Sequence, residues 1–366
     1  MQVLMLSPHS HIRGGIFKYT SQLVAILRDH GCGVVLHPWG RHDEIERSTH
    51  KIIGRFFDIL AIQKKLTRSR FDVLLVNTSH DWFALARDVA LLFAVRAHCP
   101  CIIIQFHGSH SERLLGKGNW LFKIATRQLL KSSNACFVLS TEEQSELQRF
   151  YPSRKFYVVK NPYLSTHNMS HSPVIPCPDL PPDKMILLYV GRLLPAKGII
   201  DLVQSLPLII ERRDCHLLIV GDDKTGVVKE CVDKLGVSNH VTFAGYLQGI
   251  DLLSAYRVAQ IFILPTYWKE GFPAVLTEAM DAGLPIVTTR IRGAADHLEE
   301  DVNALFVPPR NPKLLADAIV RLLNDSELRA RMANANREKV KEFAPEVVGK
   351  EFLQILNSIV EESPRI

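Results

Sequence analysis

MILLYVGRLLPAKG, residues 185–198, passes from an unbroken apolar run into Gly191-Arg192, and Lys197-Gly198 then opens a segment of helical periodicity. An apolar run without alternation belongs to a strand covered on both faces, the environment of a parallel sheet between helices. The pattern recurs along the chain. VLMLSP, GVVLHPW, DVLLVNTS, CIIIQFHG, ACFVLST and FYVVKN come before it, and CHLLIVGD, HVTFAG, QIFILPT, PIVTT and ALFVPP come after. Amphipathic segments lie between these runs, so the class is α/β, with two doubly wound, Rossmann-like layers in tandem.

Residues 161–184, NPYLSTHNMSHSPVIPCPDLPPDK, hold six prolines and no periodicity, the composition of a linker. The expected domains are therefore 1–167 and 168–344. The last helical pattern, from Pro345 to about Glu362, carries an apolar face of Val347, Val348, Phe352, Leu353, Leu356 and Ile359 that needs a partner.

At 366 residues, 47% hydrophobic and 22% charged, the composition is that of a globular protein of about two domains. Seven cysteines without a CxxC pair argue against a disulfide framework or a zinc site. MQVLMLSPHS has no basic leader, and no apolar run reaches the roughly 18 residues of a membrane span, so a cytoplasmic location is expected. The net charge of +6 conceals a split: 22 Lys+Arg against 12 Asp+Glu through residue 167, then 22 against 26. A basic first half suits an anionic membrane surface or an acidic acceptor; nucleic acid is not expected.

Two basic helices bear on that asymmetry. KIIGRFFDILAIQKKLTRSR repeats apolar residues at Ile52, Ile53, Phe56, Phe57, Leu60 and Leu66, with Lys51, Arg55, Lys64, Lys65, Arg68 and Arg70 around them. NWLFKIATRQLLK spaces Lys123, Arg127 and Lys131 four apart, one charged stripe. Either helix packs on its sheet with a solvated charged face, or it docks a basic amphipathic surface on anionic lipid at the inner face of the cytoplasmic membrane.

Arg192 and Lys197 fall where the carboxyl ends of parallel strands gather ligands, and both suit a diphosphate. EGFPAVLTEAM, residues 270–280, follows the strand QIFILPT. Pro273 suits the first helical position, Gly271 permits a close turn, and the free amides after Pro273 make an anion seat. Glu278, four residues past Ala274 and about 6 Å up the helix, is placed to accept ribose hydroxyls, and Glu270 lies on the preceding loop.

GRLLPAKG followed by EGFPAVLTEAM resembles the retaining glycosyltransferases of family 4. Weaker signals are Gly14-Gly15, FHG at 106–108, LST at 139–141, NPY at 161–163, IVGDD at 219–223, VTFAGY at 241–246 and NALFVPP at 303–309. The resemblance implies the GT-B fold, with two Rossmann-like domains facing across a cleft and the final helix, 345–366, crossing back to the first. The first domain would bind the acceptor and the second the donor. It implies a nucleotide-sugar donor on UDP or GDP, no metal or other cofactor, and a glycan or lipid-linked acceptor in surface polysaccharide or glycolipid synthesis. Arg192 and Lys197 would grip the diphosphate with amides from about Phe272 to Val275. Glu270 would bind donor hydroxyls and Glu278 the ribose, with the backbone at Tyr246 and Leu247 on the base. Gly15 would bring loop amides to the phosphates, and His107 would stand beside the donor sugar. Three positions depart from the family: Asp296 replaces a glutamate, Pro273 replaces a second glycine, and Asn161 precedes a proline.

Other classes fit less well. Paired carboxylates serve glycoside hydrolases, but here they share a motif with an anion seat. A dinucleotide oxidoreductase would show GxGxxG after a strand, and SPHSHIRGGIF has only two adjacent glycines. A GT-B phosphorylase, a nucleotide-sugar epimerase or a catalytically silent carbohydrate-binding protein would share the architecture.

Overall fold

The computed structural model describes residues 1–9, 15–40, 48–116, 118–165 and 180–363. The chain divides into two compact units. One comprises Met1–Leu164, Lys269–Phe272 and Phe343–Ile366; the other comprises Ser165–Trp268 and Pro273–Glu342. The domain boundary expected at 167/168 lies outside the described residues.

The first unit begins β1 (Gln2–Ser7), α1 (Gly15–Asp29), β2 (Gly33–Pro38), α2 (Ser48–Arg68), β3 (Val73–Thr78), α3 (Trp82–Val95) and β4 (Cys101–Phe106). It continues α4 (Glu112–Leu115), α5 (Trp120–Lys131), β5 (Ala135–Val138), α6 (Thr141–Phe150) and β6 (Lys155–Val158). Among the described residues the strands form one six-stranded sheet, β2-β1-β3-β4-β5-β6, with every pair parallel. Strand residues of alternating parity supply the two cores, as the period of two requires. Leu4, Leu6, Leu74 and Val76 meet Ile62 and Leu66 of α2, Leu85 and Leu92 of α3 and Phe122 of α5 on one face. Val3, Met5, Val73 and Leu75 meet Tyr19, Leu23 and Leu27 of α1 on the other.

The second unit holds β7 (Met185–Val190), α7 (Ile199–Ile210), β8 (Cys215–Val220), α8 (Val227–Lys234), β9 (Val241–Gly245), α9 (Gly249–Val258) and β10 (Ile261–Leu264). It closes with α10 (Ala274–Asp281), β11 (Ile286–Thr289), α11 (Gly293–His297), β12 (Ala304–Val307), α12 (Pro312–Asn324) and α13 (Ser326–Lys339). Its six described strands are again parallel, in the order β12-β11-β10-β7-β8-β9. The chain builds outward from β7 on one side, then returns to lay β10 on the other. The β7/β10 junction is therefore the topological switch point, outside whose carboxyl ends such sheets bind ligands.

The last helix, α14 (Pro345–Glu362), belongs to the first unit. Phe352, Leu356 and Ile359 join the core beneath α1, and the Phe352 ring meets Phe137 edge-on at 5.0 Å. A Cβ at Gly349 would run into Ile26, so the two helices approach as closely as backbone allows.

The pattern in α2 divides differently from the sequence expectation. Leu66 is buried together with Ile62, whereas Ile53, Phe56, Phe57 and Leu60 are 57%, 59%, 62% and 43% exposed. The side chains of Lys51 and Ile52 lie outside the described residues. Among the described residues, no helix is long and apolar enough to cross a membrane.

Candidate functional site

In the second unit, the loops leaving β7 and β10 are tied together at the switch point. A Cβ at Gly198, which has φ +76°, would lie 2.5 Å from the Pro265 carbonyl carbon and nearer still to its oxygen, so only glycine lets α7 start there. Tyr267 N–H donates to Ala196 O at 3.0 Å. Arg192 is exposed, with its carbonyl accepting from the Tyr189 hydroxyl at 3.0 Å and its guanidinium 5.8 Å from the Trp268 ring centre. Such stacking steadies an arginine while its forked donors still reach outward. Lys197, on a short 3₁₀ turn, is 93% buried, its relative exposure being 7%.

Pro273 is the N-cap of α10, with φ −62° and ψ 129°, and not its first helical residue. The extended ψ is what turns the chain into the helix, and the Pro273 carbonyl accepts from Leu276 N–H at 2.9 Å. Ala274 and Val275 therefore supply the first helical amides, which have no acceptor within the helix. Further along, Glu278 accepts from the Tyr256 hydroxyl at 2.9 Å. Tyr256 is buried on α9, so it fixes the carboxylate from behind.

Tyr246 and Leu247 follow β9, with Tyr246 exposed and Leu247 half-buried. The ends of β8 and β9 are joined by Gly221 N–H donating to Gly245 O at 2.8 Å. They border an open hollow of about 460 Å³ lined by Gly221, Asp222, Asp223, Lys224, Gly226, Lys229, Phe243 and Gly245. Gly221, Asp222 and Asp223 come from IVGDD, and Phe243 and Gly245 from VTFAGY, but none of the residues expected to hold the donor lines it. Asp296 lies exposed on α11.

In the first unit, His107 follows β4. Its Nε2 donates to Asn77 Oδ1 at 2.6 Å, because the Asn77 amide nitrogen donates to Leu6 O at 2.7 Å and thereby orients the carbonyl oxygen toward the ring. The Tyr19 ring meets the imidazole edge-on at 4.8 Å. Burial lowers its pKa to about 3, so the ring is neutral at physiological pH, with Nδ1 as an acceptor. Gly15 is the first residue of α1; its neighbour Gly14 lies outside the described residues.

Lys269–Phe272 also belong to this unit. Lys269 Nζ reaches Glu142 at 2.8 Å and Glu146 at 3.4 Å, both on α6, and Glu146 accepts from the Ser111 hydroxyl at 2.6 Å. A Cβ at Gly271 would lie 2.6 Å from Leu139 Cδ1 and closer to Leu139 Cβ, so the segment rests directly on the end of β5. Phe272 stacks on Phe343 at 5.2 Å and 17°. A Cβ at Gly108, which has φ +91°, would be 3.7 Å from Glu270 Cα, so Glu270 runs alongside the residue that follows His107.

The structure thus brings Glu270, Gly271 and Phe272 together with His107. Separately, it brings Arg192 and Lys197 together at the switch point, with Glu278 on α10 of the same unit. Sequence reasoning missed Asn77, Lys269, Tyr256 and Trp268. Only Lys269 left a trace: it directly precedes the glutamate motif, and Glu142 and Glu146 stand four apart on a helix, as a shared cation needs. Among the described residues, no group of three or more His, Cys, Asp or Glu side chains could hold a metal ion.

Residues 13–163 match the model of Glycosyltransferase Family 4, and residues 177–339 that of Glycosyl transferases group 1. A capsular polysaccharide biosynthesis glycosyltransferase, CapM of Staphylococcus aureus, is 28% identical over 50% of this chain and 48% of its own. The chain spans about half the length of the curated relatives it matches. In fold it is similar to a sucrose-phosphate synthase of Thermosynechococcus elongatus, with TM-score 0.78 and 20% identity over 99% of this chain and 100% of that one. It is similar also to Anabaena HepE in complex with UDP-glucose, with TM-score 0.71 and 17% identity over 98% and 100%. Matched at 13–163 and 177–339, most of its length, the chain belongs to the GT-B glycosyltransferases of the family 4 type.

Proposed function

We propose that the chain transfers a sugar, with retention and without a metal, from a UDP- or GDP-sugar to a hydroxyl of a glycan or lipid-linked acceptor. The observation that carries this reading is the pairing of Arg192 and Lys197 on one loop at the β7/β10 switch point, in the unit that also starts α10 with amides that have no acceptor within the helix. Cations and helix amides there suit a diphosphate in the bound donor and, still better, the charge that grows on it as it departs. Glu278, held by Tyr256, would accept the ribose hydroxyls. The UDP-glucose bound by HepE and the capsular polysaccharide role of CapM favour a nucleotide sugar and a surface-glycan acceptor.

Glu270 and His107 would face the sugar. A neutral imidazole with Nε2–H committed to Asn77 can accept from a sugar hydroxyl at Nδ1 but cannot act as a general acid near neutral pH. The acceptor oxygen then attacks the anomeric carbon on the side the diphosphate leaves. The carbon–oxygen bond to phosphate breaks, and the acceptor proton passes to the departing phosphate oxygen. Arg192→Ala and Lys197→Ala should each lower turnover by about 10²–10³-fold, the scale for removing a donor to a developing anion. Full turnover in both variants would remove the diphosphate role.

A further inference from the structure

α2, α3 and α5 lie side by side on one face of the first sheet, with α3 between its neighbours. Each turns apolar side chains outward. On α3 the outward stripe is Phe83, Ala86, Ala90 and Phe93, spaced i, i+3, i+7, i+10, with Phe83 82% and Phe93 91% exposed. On α2 it is Ile53, Phe56, Phe57 and Leu60, and on α5 it is Trp120, Leu121 and Ile124. A contiguous patch of this kind on a folded unit marks a surface that something else covers.

The charge around it says what. Helices of a parallel sheet run in one direction, so the C-terminal ends of α2, α3 and α5 share one end of the layer. That end carries exposed Lys64, Arg68, Arg96, Arg127 and Lys131. Among the described residues of the three helices, no acidic side chain is exposed: Asp88 is buried, and Asp58 is half-buried against Arg55 at 3.2 Å. A two-fold pairing of two copies through this face would set one basic rim near the other, because such an interface is self-complementary. An anionic bilayer instead offers hydrocarbon to the aromatics and phosphates to the rim, and tryptophan favours the boundary between them.

We infer that the α2–α3–α5 face is a docking surface for an anionic lipid bilayer, with Phe56, Phe57, Phe83, Phe93 and Trp120 entering the headgroup–acyl boundary. This goes beyond the proposed transfer reaction, and it is tested without an activity readout. The full chain is sedimented with phosphatidylcholine vesicles, with or without phosphatidylglycerol. Wild type should bind the mixed vesicles at least about tenfold more tightly than the neutral ones, since each basic residue at the surface contributes about 1 kcal/mol. Phe83→Ser/Phe93→Ser should lower binding to mixed vesicles about tenfold or more. Arg127→Glu/Lys131→Glu should do so by a similar factor and flatten the salt dependence. All four positions are exposed, and unchanged circular dichroism and melting would establish that the variants fold. Equal binding to both vesicles, no binding to either, or mixed-vesicle binding untouched by the Phe substitutions would overturn the inference. So would a self-association that the same substitutions abolish while vesicle binding persists.

Discussion

Replacing Gly271 by alanine perturbs the segment that carries Glu270 without touching any charged group. The new Cβ would lie 2.6 Å from Leu139 Cδ1 and nearer to Leu139 Cβ, against the roughly 3.5–4.0 Å at which carbon atoms rest. Leu139 cannot yield easily: it is buried at the end of β5, and its backbone N–H donates to Glu143 at 3.1 Å. Residues 269–272 must therefore lift by about an ångström while Lys269 and Phe272 stay tethered to α6 and Phe343. Overpacking of this kind costs about 1–3 kcal/mol, and a displacement of about 1 Å at a positioned group costs about 10²-fold in rate. The assay is steady-state release of nucleoside diphosphate, beside calorimetric affinity for the nucleotide and thermal melting. A kcat about 10²-fold lower, with nucleotide affinity within about threefold and the fold retained, is the expected outcome. Wild-type kcat in Gly271→Ala would refute the idea that close seating on Leu139 places Glu270.

Lys269→Ala removes a partly exposed ion pair worth about 0–1 kcal/mol of stability, yet it should lower kcat by about tenfold through Glu270; failure of Lys269→Glu/Glu142→Lys to recover more activity than Lys269→Glu would contradict a positioning role. Tyr256→Phe deletes a hydrogen bond to a carboxylate worth about 1.5–3 kcal/mol and should weaken nucleotide affinity by about tenfold or more in calorimetry. An unchanged affinity would detach Glu278 from the nucleotide. The His107 pKa is depressed from its ordinary 6.5 to about 3. Its contribution to stability is therefore complete above pH 6.5 and is lost as pH falls from there toward 3, because the unfolded chain takes up a proton that the fold refuses. Urea midpoints across that window should show a loss on the order of 2–4 kcal/mol that His107→Gln lacks; parallel profiles for the two proteins would argue against a buried neutral imidazole.

Both sheets were legible because most strands carry a run of apolar residues without alternation, as in MILLYV and IFIL. Their strand orders were not, since a run of that kind does not record its neighbours. α2 was legible as a helix but not in its orientation. Ile59, Ile62 and Leu66 make one apolar face, Ile53, Phe56, Phe57 and Leu60 another, and periodicity alone does not say which meets the sheet. Pro273 differed from expectation by one position, a matter of its ψ. The grouping of Lys269–Phe272 with the first unit depends on contacts with residues more than a hundred positions away, such as Glu142 and Leu139, and beyond the four-residue spacing of Glu142 and Glu146 local sequence carries no trace of those. The same holds for Asn77, which sets the His107 tautomer from a neighbouring strand.

The most direct test is release of nucleoside diphosphate by wild type and Glu270→Ala from a panel of UDP-, GDP- and ADP-sugars, run with and without EDTA. Wild type should release the diphosphate from a UDP- or GDP-sugar equally well in EDTA, and Glu270→Ala should be slower by orders of magnitude, roughly 10²-fold or more. Release that EDTA abolishes, or that survives intact in Glu270→Ala, would contradict the metal-independent transfer and the place of Glu270 in it.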